Sequence, residues 1–368
     1  MKSETITARI AQFLSTRFPV DKMNFHSMVE TKTVPVHRLS WGYYTGGLTV
    51  LFFMIQVVTG LLLLFYYQPS VSDANLSVDF IEKYVSAGAL IRNMHAWSAS
   101  CMILMAIVHL LTAFAMKAFA KPREFTWITG VLLLLITFAF GFTGYLLPWN
   151  QIAVNATKVM IQSVEDVGHY LPGVLSKLPQ IIMETFQGEA SVGQATLDRF
   201  YALHVVILPF AVLAIMGAHL ISVQLHGMSQ GVDHPTGKTE RFFPMFLVKD
   251  LFFWSFVFLA LFVVAVCIPF DSFSPFPLLE PYNSLGSTPA GIKPEWYFYF
   301  VYYPLEMLPF WVILVACGAA VAGLFLTPWI FKSVSRRSLR FIALGATAYM
   351  FVITLFGEQI YHMVKPGS

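Results

Sequence analysis

Seven long, mostly apolar stretches recur along the chain, at about residues 41–67, 90–116, 126–147, 200–225, 248–269, 301–326 and 339–360. Each is long enough to cross a hydrocarbon core about 30 Å thick as a helix, which satisfies its own backbone groups there. They predict an all-α integral membrane protein of about seven transmembrane helices. The start of the sixth span is interrupted by Pro304 and Pro309. Charge is correspondingly sparse: 12% of residues are charged, against about a quarter in a soluble domain. A net charge of +3, spread along the chain, is too small to point to nucleic acid.

Residues 1–40 read as an amphipathic segment on the membrane surface. MKSETITARIAQFLSTRF is charged rather than apolar, unlike a cleaved signal peptide, and turns Ile6, Ile10, Phe13 and Leu14 inward. A flexible solvated tail is the alternative. Residues 41–230 then hold four spans, and residues 231–368 hold three.

Basic residues set the expected orientation. Lys117, Lys121 and Arg123 follow the second span, Lys238, Arg241 and Lys249 the fourth, and Lys332, Arg336, Arg337 and Arg340 the sixth. These loops and the N-terminus are expected on the cytoplasmic side of a cell inner membrane, with the C-terminus outside. The alternate loops carry Asp73, Glu82, Glu165, Asp271, Glu280 and Glu295 against few basic residues. Two of these outer segments, 148–198 and 270–300, are long and rich in Pro and Gly, as in a lid or docking surface.

Cys101, Cys267 and Cys317 lie singly in apolar segments, and the sequence contains no CxxCH. Any cofactor must be held by other side chains. The second span has His95 and His109, fourteen residues apart, and the fourth has His204 and His219, fifteen apart. On a helix these steps return to within about 40° and 60° of the same face after roughly 21–22 Å. The spans run in the same direction, so His95 meets His204 at the outer level and His109 meets His219 at the inner one. A single histidine in a membrane helix is often a pore-lining or hydrogen-bonded group. Four in matched pairs point to two bis-histidine haems, stacked across a four-helix bundle and suited to electron transfer.

The glycines repeat that vertical step. Gly46 and Gly60 in the first span, and Gly130 and Gly144 in the third, are each fourteen apart. Taken alone, such pairs serve helix packing; beside these histidines they allow a porphyrin edge to approach the backbone. Arg92, Arg199 and Arg123 stand at the membrane edges, where they are snorkelling anchors or partners for haem propionates.

The segments RNMHAWSAS, KPREFTW, GFTGYLLPWNQ, SVGQATLDRFYALH and KPEWY resemble the cytochrome b of bc1 and b6f complexes over essentially the whole chain. FYYQPSVSDA and the fifteen-residue histidine step resemble the b6 type, and the continuation through three more spans resembles b6 fused to subunit IV. The resemblance implies an outer quinol-oxidation pocket at Pro294, Glu295, Trp296 and Tyr297, shaped also by Tyr145. A carboxylate in a partly apolar pocket can take a proton as quinol is oxidised, which is the role implied for Glu295. An inner quinone site is implied at Lys249 and Asp250, with His226 matched loosely.

Further implications are two non-covalent b-type haems, a Rieske iron-sulfur partner, a cytochrome c or similar acceptor, and a homodimeric complex. One electron of each quinol would pass to the Rieske partner and one across the membrane, contributing to a proton gradient. Where b6 has a cysteine binding a third haem covalently, this chain has Tyr44, so no such haem is expected. Glu306 and Asn155 replace a customary arginine and tryptophan. Two other readings are a di-haem membrane anchor for a non-Rieske complex and, in a different class, a haem-free proton-coupled transporter. Inhibitors of the outer site test the first, and a reduced-minus-oxidised spectrum the second.

Overall fold

The computed structural model describes residues 12, 15–16, 32–273, 279–286 and 291–365. Ile6, Ile10, Phe13 and Leu14, and with them the inward face expected for the N-terminal segment, lie outside the described residues. Eleven helices carry the described chain: α1 (Tyr44–Leu64), α2 (Ala74–Tyr84), α3 (Gly88–Ala115), α4 (Glu124–Leu146), α5 (Gln151–Glu165), α6 (Leu178–Gln187), α7 (Gln194–His226), α8 (Phe242–Cys267), α9 (Tyr299–Met307), α10 (Phe310–Ile330) and α11 (Arg336–Val364). Seven of them, α1, α3, α4, α7, α8, α10 and α11, are long and apolar enough to cross a membrane. One short antiparallel pairing, β1 (Thr33–Pro35) with β2 (Thr239–Arg241), ties the segment before α1 to the segment before α8.

The packing pairs α1 with α3 and α4 with α7 most extensively, giving the four-helix bundle, and α8 and α11 lie against α3. Leu48, Phe52 and Ile55 of α1 are buried against Met94 and Met102 of α3, with Leu261 and Ala265 of α8 closing the same cluster. Large side chains such as Val58, Phe210, Phe252, Phe256 and Leu344 stay exposed on the outside. In water such a surface would be an aggregation hazard; in a bilayer it is the lipid-facing side.

The sixth span begins later than its hydropathy indicates. Proline disfavours helical geometry in the residue before it. Leu308, before Pro309, is extended (φ −116°, ψ 158°) and ends α9, so the crossing helix is α10 and residues 299–307 form a separate short helix. The segment 148–198 also differs from an irregular loop, because it folds largely into α5, α6 and two 3-10 turns. Pro179 stands in the first turn of α6, and Gly188, at φ +83°, terminates it. Asn150 starts α5, its side-chain oxygen accepting from the Ala153 N–H at 2.7 Å. In α7 the turn Leu203–Ile207 widens to a π-helix just before Pro209. Proline has no N–H for the preceding turn, and His204 sits in that widened turn.

Candidate functional site

Each of the four histidines meets one glycine and one threonine of a neighbouring helix. A Cβ placed on Gly60 would lie 3.4 Å from Cε1 of His95, on Gly144 2.6 Å from that of His204, on Gly46 3.0 Å from that of His109, and on Gly130 3.2 Å from that of His219. The rings therefore occupy the room the missing side chains leave. The threonine just before each glycine touches the same ring: Thr59 Oγ1 is 2.9 Å from Nδ1 of His95, Thr143 3.1 Å from that of His204, Thr45 3.0 Å from that of His109, and Thr129 3.0 Å from that of His219. Each hydroxyl donates its own proton to a carbonyl of the preceding turn, those of Ile55, Ala139, Gly42 and Phe125. It can then only accept from the ring, so Nδ1 carries the hydrogen and Nε2 presents a lone pair.

The rings face each other in two pairs. His95 and His204 have ring centroids 6.4 Å apart with planes at 64°, and His109 and His219 are also 6.4 Å apart, at 77°. Two metal–imidazole bonds of about 2 Å each, plus roughly 1.1–1.2 Å from nitrogen to ring centre at either end, span about 6.3 Å. One metal atom fits between the rings of each pair. Among the described residues no three His, Cys, Asp or Glu side chains converge. A bare zinc ion would ask for four protein ligands, whereas a metal bringing its own ring of equatorial nitrogens asks for two. The donor set fits haem.

A cavity of about 360 Å³ surrounds the His95–His204 pair and continues to Tyr145, Glu295 and Tyr297. Tyr297 reaches it because Gly141 has no side chain: a Cβ there would lie 2.7 Å from the phenol oxygen. Burial pushes the Glu295 carboxyl up to about 7. Burial, then the neighbouring Glu295 and Tyr145, raises the Tyr297 phenol. Gln56, Tyr67 and Tyr201 also line the wall, and Tyr67 is held by donating to the Leu147 carbonyl at 2.7 Å.

Arg92 lines this cavity and pairs closely with Glu82, with Asp271 at 3.4 Å on its other side. Arg199 is exposed and turns away, donating to the Glu184 carbonyl at 3.3 Å. Arg123, at the start of α4, donates through Nε to the Ala118 carbonyl at 3.0 Å. Pro294 and Trp296 do not line the cavity wall; Trp296 packs on the cluster of Ile103, Ile107 and Leu134.

Lys249 and Asp250 diverge. Lys249 is at the surface, paired with Glu240, whereas Asp250 is buried against Gly47 of α1, its Oδ1 lacking a hydrogen-bond partner among the described residues. His226 donates from Nδ1 to the Ser222 carbonyl at 3.0 Å. Tyr44 stacks on Phe246 of α8 at 4.9 Å. Of the two departures from pattern, Asn155 is buried within α5, donating to the Gln151 carbonyl, and Glu306 is exposed on α9.

Comparison with known proteins agrees with this architecture. Residues 29–227 match the family model described as cytochrome b/b6/petB, and residues 282–364 match cytochrome b (C-terminal)/b6/petD. A cytochrome bc complex cytochrome b subunit of Chlorobaculum thiosulfatiphilum is 39% identical over 348 residues, 91% of this chain and 77% of that protein. The chain belongs to the cytochrome b family.

Cytochrome b6 of Prochlorothrix hollandica is 42% identical to this cytochrome b over 201 residues, 55% of this chain and 86% of its own length. A chain of a hyperthermophilic respiratory complex III shares the fold, with a TM-score of 0.72 at 24% identity over 96% of this chain and 97% of that one. The two family regions stand in tandem, so this is a cytochrome b of the fused b6 plus subunit IV type. The four threonines are not among the residues expected from the sequence, although each Thr-Gly dipeptide repeats at the same fourteen-residue step.

Proposed function

We propose that this cytochrome b is the quinol-oxidising membrane subunit of a Rieske/cytochrome b complex. The observation that carries the reading is one cavity lined both by the His95–His204 pair and by Tyr145, Glu295 and Tyr297. Quinol must lose two protons and two electrons there, so it needs a proton acceptor beside an electron path. Glu295, with a carboxyl near neutrality in a partly apolar wall, takes a proton from the quinol hydroxyl. Tyr145 and Tyr297 confine the ring, with Gly141 leaving the room Tyr297 needs. Pro294 and Trp296 shape the backbone turn that aims Glu295 and Tyr297 at the cavity.

His95 with His204, and His109 with His219, hold two non-covalent b-type haems, which when bound supply the electron path from the outer pocket to a second quinone. Gly46, Gly60, Gly130 and Gly144 admit them, and Arg92 and Arg123 stand at the two edges. The second quinone site lies on the opposite side, where Asp250 delivers a proton to reduced quinone and Lys249 and His226 complete the site. Residues 41–230 are the haem-holding domain and residues 231–368 complete the quinol pocket. The N-terminus is cytoplasmic and the C-terminus outside. Partners are a Rieske iron-sulfur protein that takes the first electron, a cytochrome c or similar acceptor, and a second copy of the complex.

Glu295→Gln tests the reading. General-base assistance contributes about 10²–10⁴-fold, so quinol oxidation by the purified complex is expected to slow about a hundredfold or more with the haem spectrum intact. An unchanged rate removes Glu295 from the mechanism.

A further inference from the structure

Glu295 lines the cavity, and a base there works a second time only after it has passed its first proton on. The chain on either side of it leads away from the cavity toward α11. Two residues before it, Lys293 pairs with Glu358 of α11 at 2.6 Å, and the Glu358 side chain is half-exposed. Four residues after it, Tyr299 opens α9 and sets its ring edge-on to that of Tyr303, with centroids 5.1 Å apart. Tyr303 in turn lies against Gly357, the neighbour of Glu358 in α11. Tyr299 therefore stands on the side of α9 that faces the ion pair.

The charges around Tyr299 agree with that placement. Burial raises its phenol most, Tyr303 adds to this, Lys293 lowers it, and both Glu295 and Glu358 raise it. One hydroxyl thus feels the carboxyl in the cavity wall and the carboxylate at the surface. A phenol accepts through its oxygen while donating its own hydrogen, so it relays a proton without holding a charge. Glu358 is suited to receive that proton because water reaches its carboxylate.

We propose that the proton Glu295 takes from quinol leaves through the Tyr299 hydroxyl to Glu358, held in place by Lys293, and from there passes to water. The proposal rests on Glu295 being the quinol base. As the O–H bond of Glu295 breaks, one forms on the Tyr299 oxygen, and the proton that Tyr299 carried goes to the Glu358 carboxylate, directly or through water. Glu295 is left ionised for the next quinol, and Glu358 returns to its ionised form by giving the proton to solvent. Lys293 is a positioning residue in this route.

Quinol oxidation by the purified complex, followed near pH 7 with the haem spectrum read on each sample, tests the route. Tyr299→Phe and Glu358→Gln are each expected to slow it roughly tenfold, short of the hundredfold or more expected for loss of the base itself. Glu358→Asp, which keeps a carboxylate, is expected to regain most of the rate, and added formate, a small mobile base, to restore Glu358→Gln. Glu306→Gln, which removes an exposed carboxylate from the same short helix, is the control and is expected to keep the full rate. An unchanged rate in Tyr299→Phe or Glu358→Gln beside a slow Glu295→Gln overturns the route and leaves the base in place. An unchanged Glu295→Gln removes the base and the route with it. Slowing of Glu358→Gln that neither the aspartate variant nor formate reverses gives the ion pair a packing role only and also overturns the route. Where Glu358→Gln does not assemble with haem, Tyr299→Phe decides alone, since it deletes a single hydroxyl.

Discussion

A histidine that is to hold haem needs its ring oriented and one nitrogen free, and at the four proposed ligands a Thr-Gly dipeptide does both. The glycine makes space for the ring while the adjacent threonine accepts from Nδ1. Such an outer hydrogen bond raises the basicity of the ligating nitrogen. Thr59→Val, close in shape, is therefore expected to raise the midpoint potential of the haem proposed on His95 while leaving haem content intact; a redox titration with no shift would reject the pairing. The glycines are graded by the space they leave. Gly144→Ala, which would bring Cβ to 2.6 Å from the His204 ring, is expected to deplete that haem, and Gly60→Ala, at 3.4 Å, to leave it nearly full. Haem counted by pyridine haemochromogen checks the order. Glu295 belongs to this scale too. A base works only when ionised, so quinol oxidation should rise with pH through about 7, and Glu295→Gln should flatten that step in a pH–rate profile.

Among the elements, the seam between α9 and α11 anchors the helix that directly follows Glu295 and Tyr297. Gly357 of α11 lies flush against the Tyr303 ring of α9, too close for any side chain, and Lys293 reaches Glu358 at 2.6 Å just beside it. The ion pair is half-exposed and contributes little by itself. The ring contact is the stronger tie. Overpacking costs roughly 1–3 kcal/mol, so Gly357→Ala is expected to lower thermal stability by about that amount. Tyr303→Leu in the same chain should recover much of it, and strictly additive losses would show that the two residues do not press on each other. The extended Leu308 before Pro309 has a related consequence: it ends α9 before the membrane-crossing α10 begins, so α9 continues directly from the 3-10 turn that follows Glu295.

For the whole molecule, the chain between the two family regions, residues 228–281, has an exposed stretch at 233–239, while α8 within it is packed on α1 and α3 and β1 pairs with β2. Covalent continuity at 233–238 carries little of the packing. Expressed as two polypeptides divided within 233–238, the halves are expected to co-purify with an unchanged haem spectrum. Separation of the halves would show that the link itself holds the pocket together.

The membrane-spanning count, the four histidines and their pairing were legible in the amino-acid sequence, because the cost of leaving backbone or charge in hydrocarbon and the period of a helix both act locally. Local rules also marked Pro309, but only the folded chain shows that α9 ends there and that the crossing starts at Phe310. The helical character of 148–187, the turn of Arg199 away from the cavity, and the parting of exposed Lys249 from buried Asp250 were hidden, since neighbours in sequence point to different faces once distant helices pack. The four threonine–histidine bonds were hidden for the same reason: each joins residues 36 to 90 positions apart, and only helix packing brings them within hydrogen-bond reach.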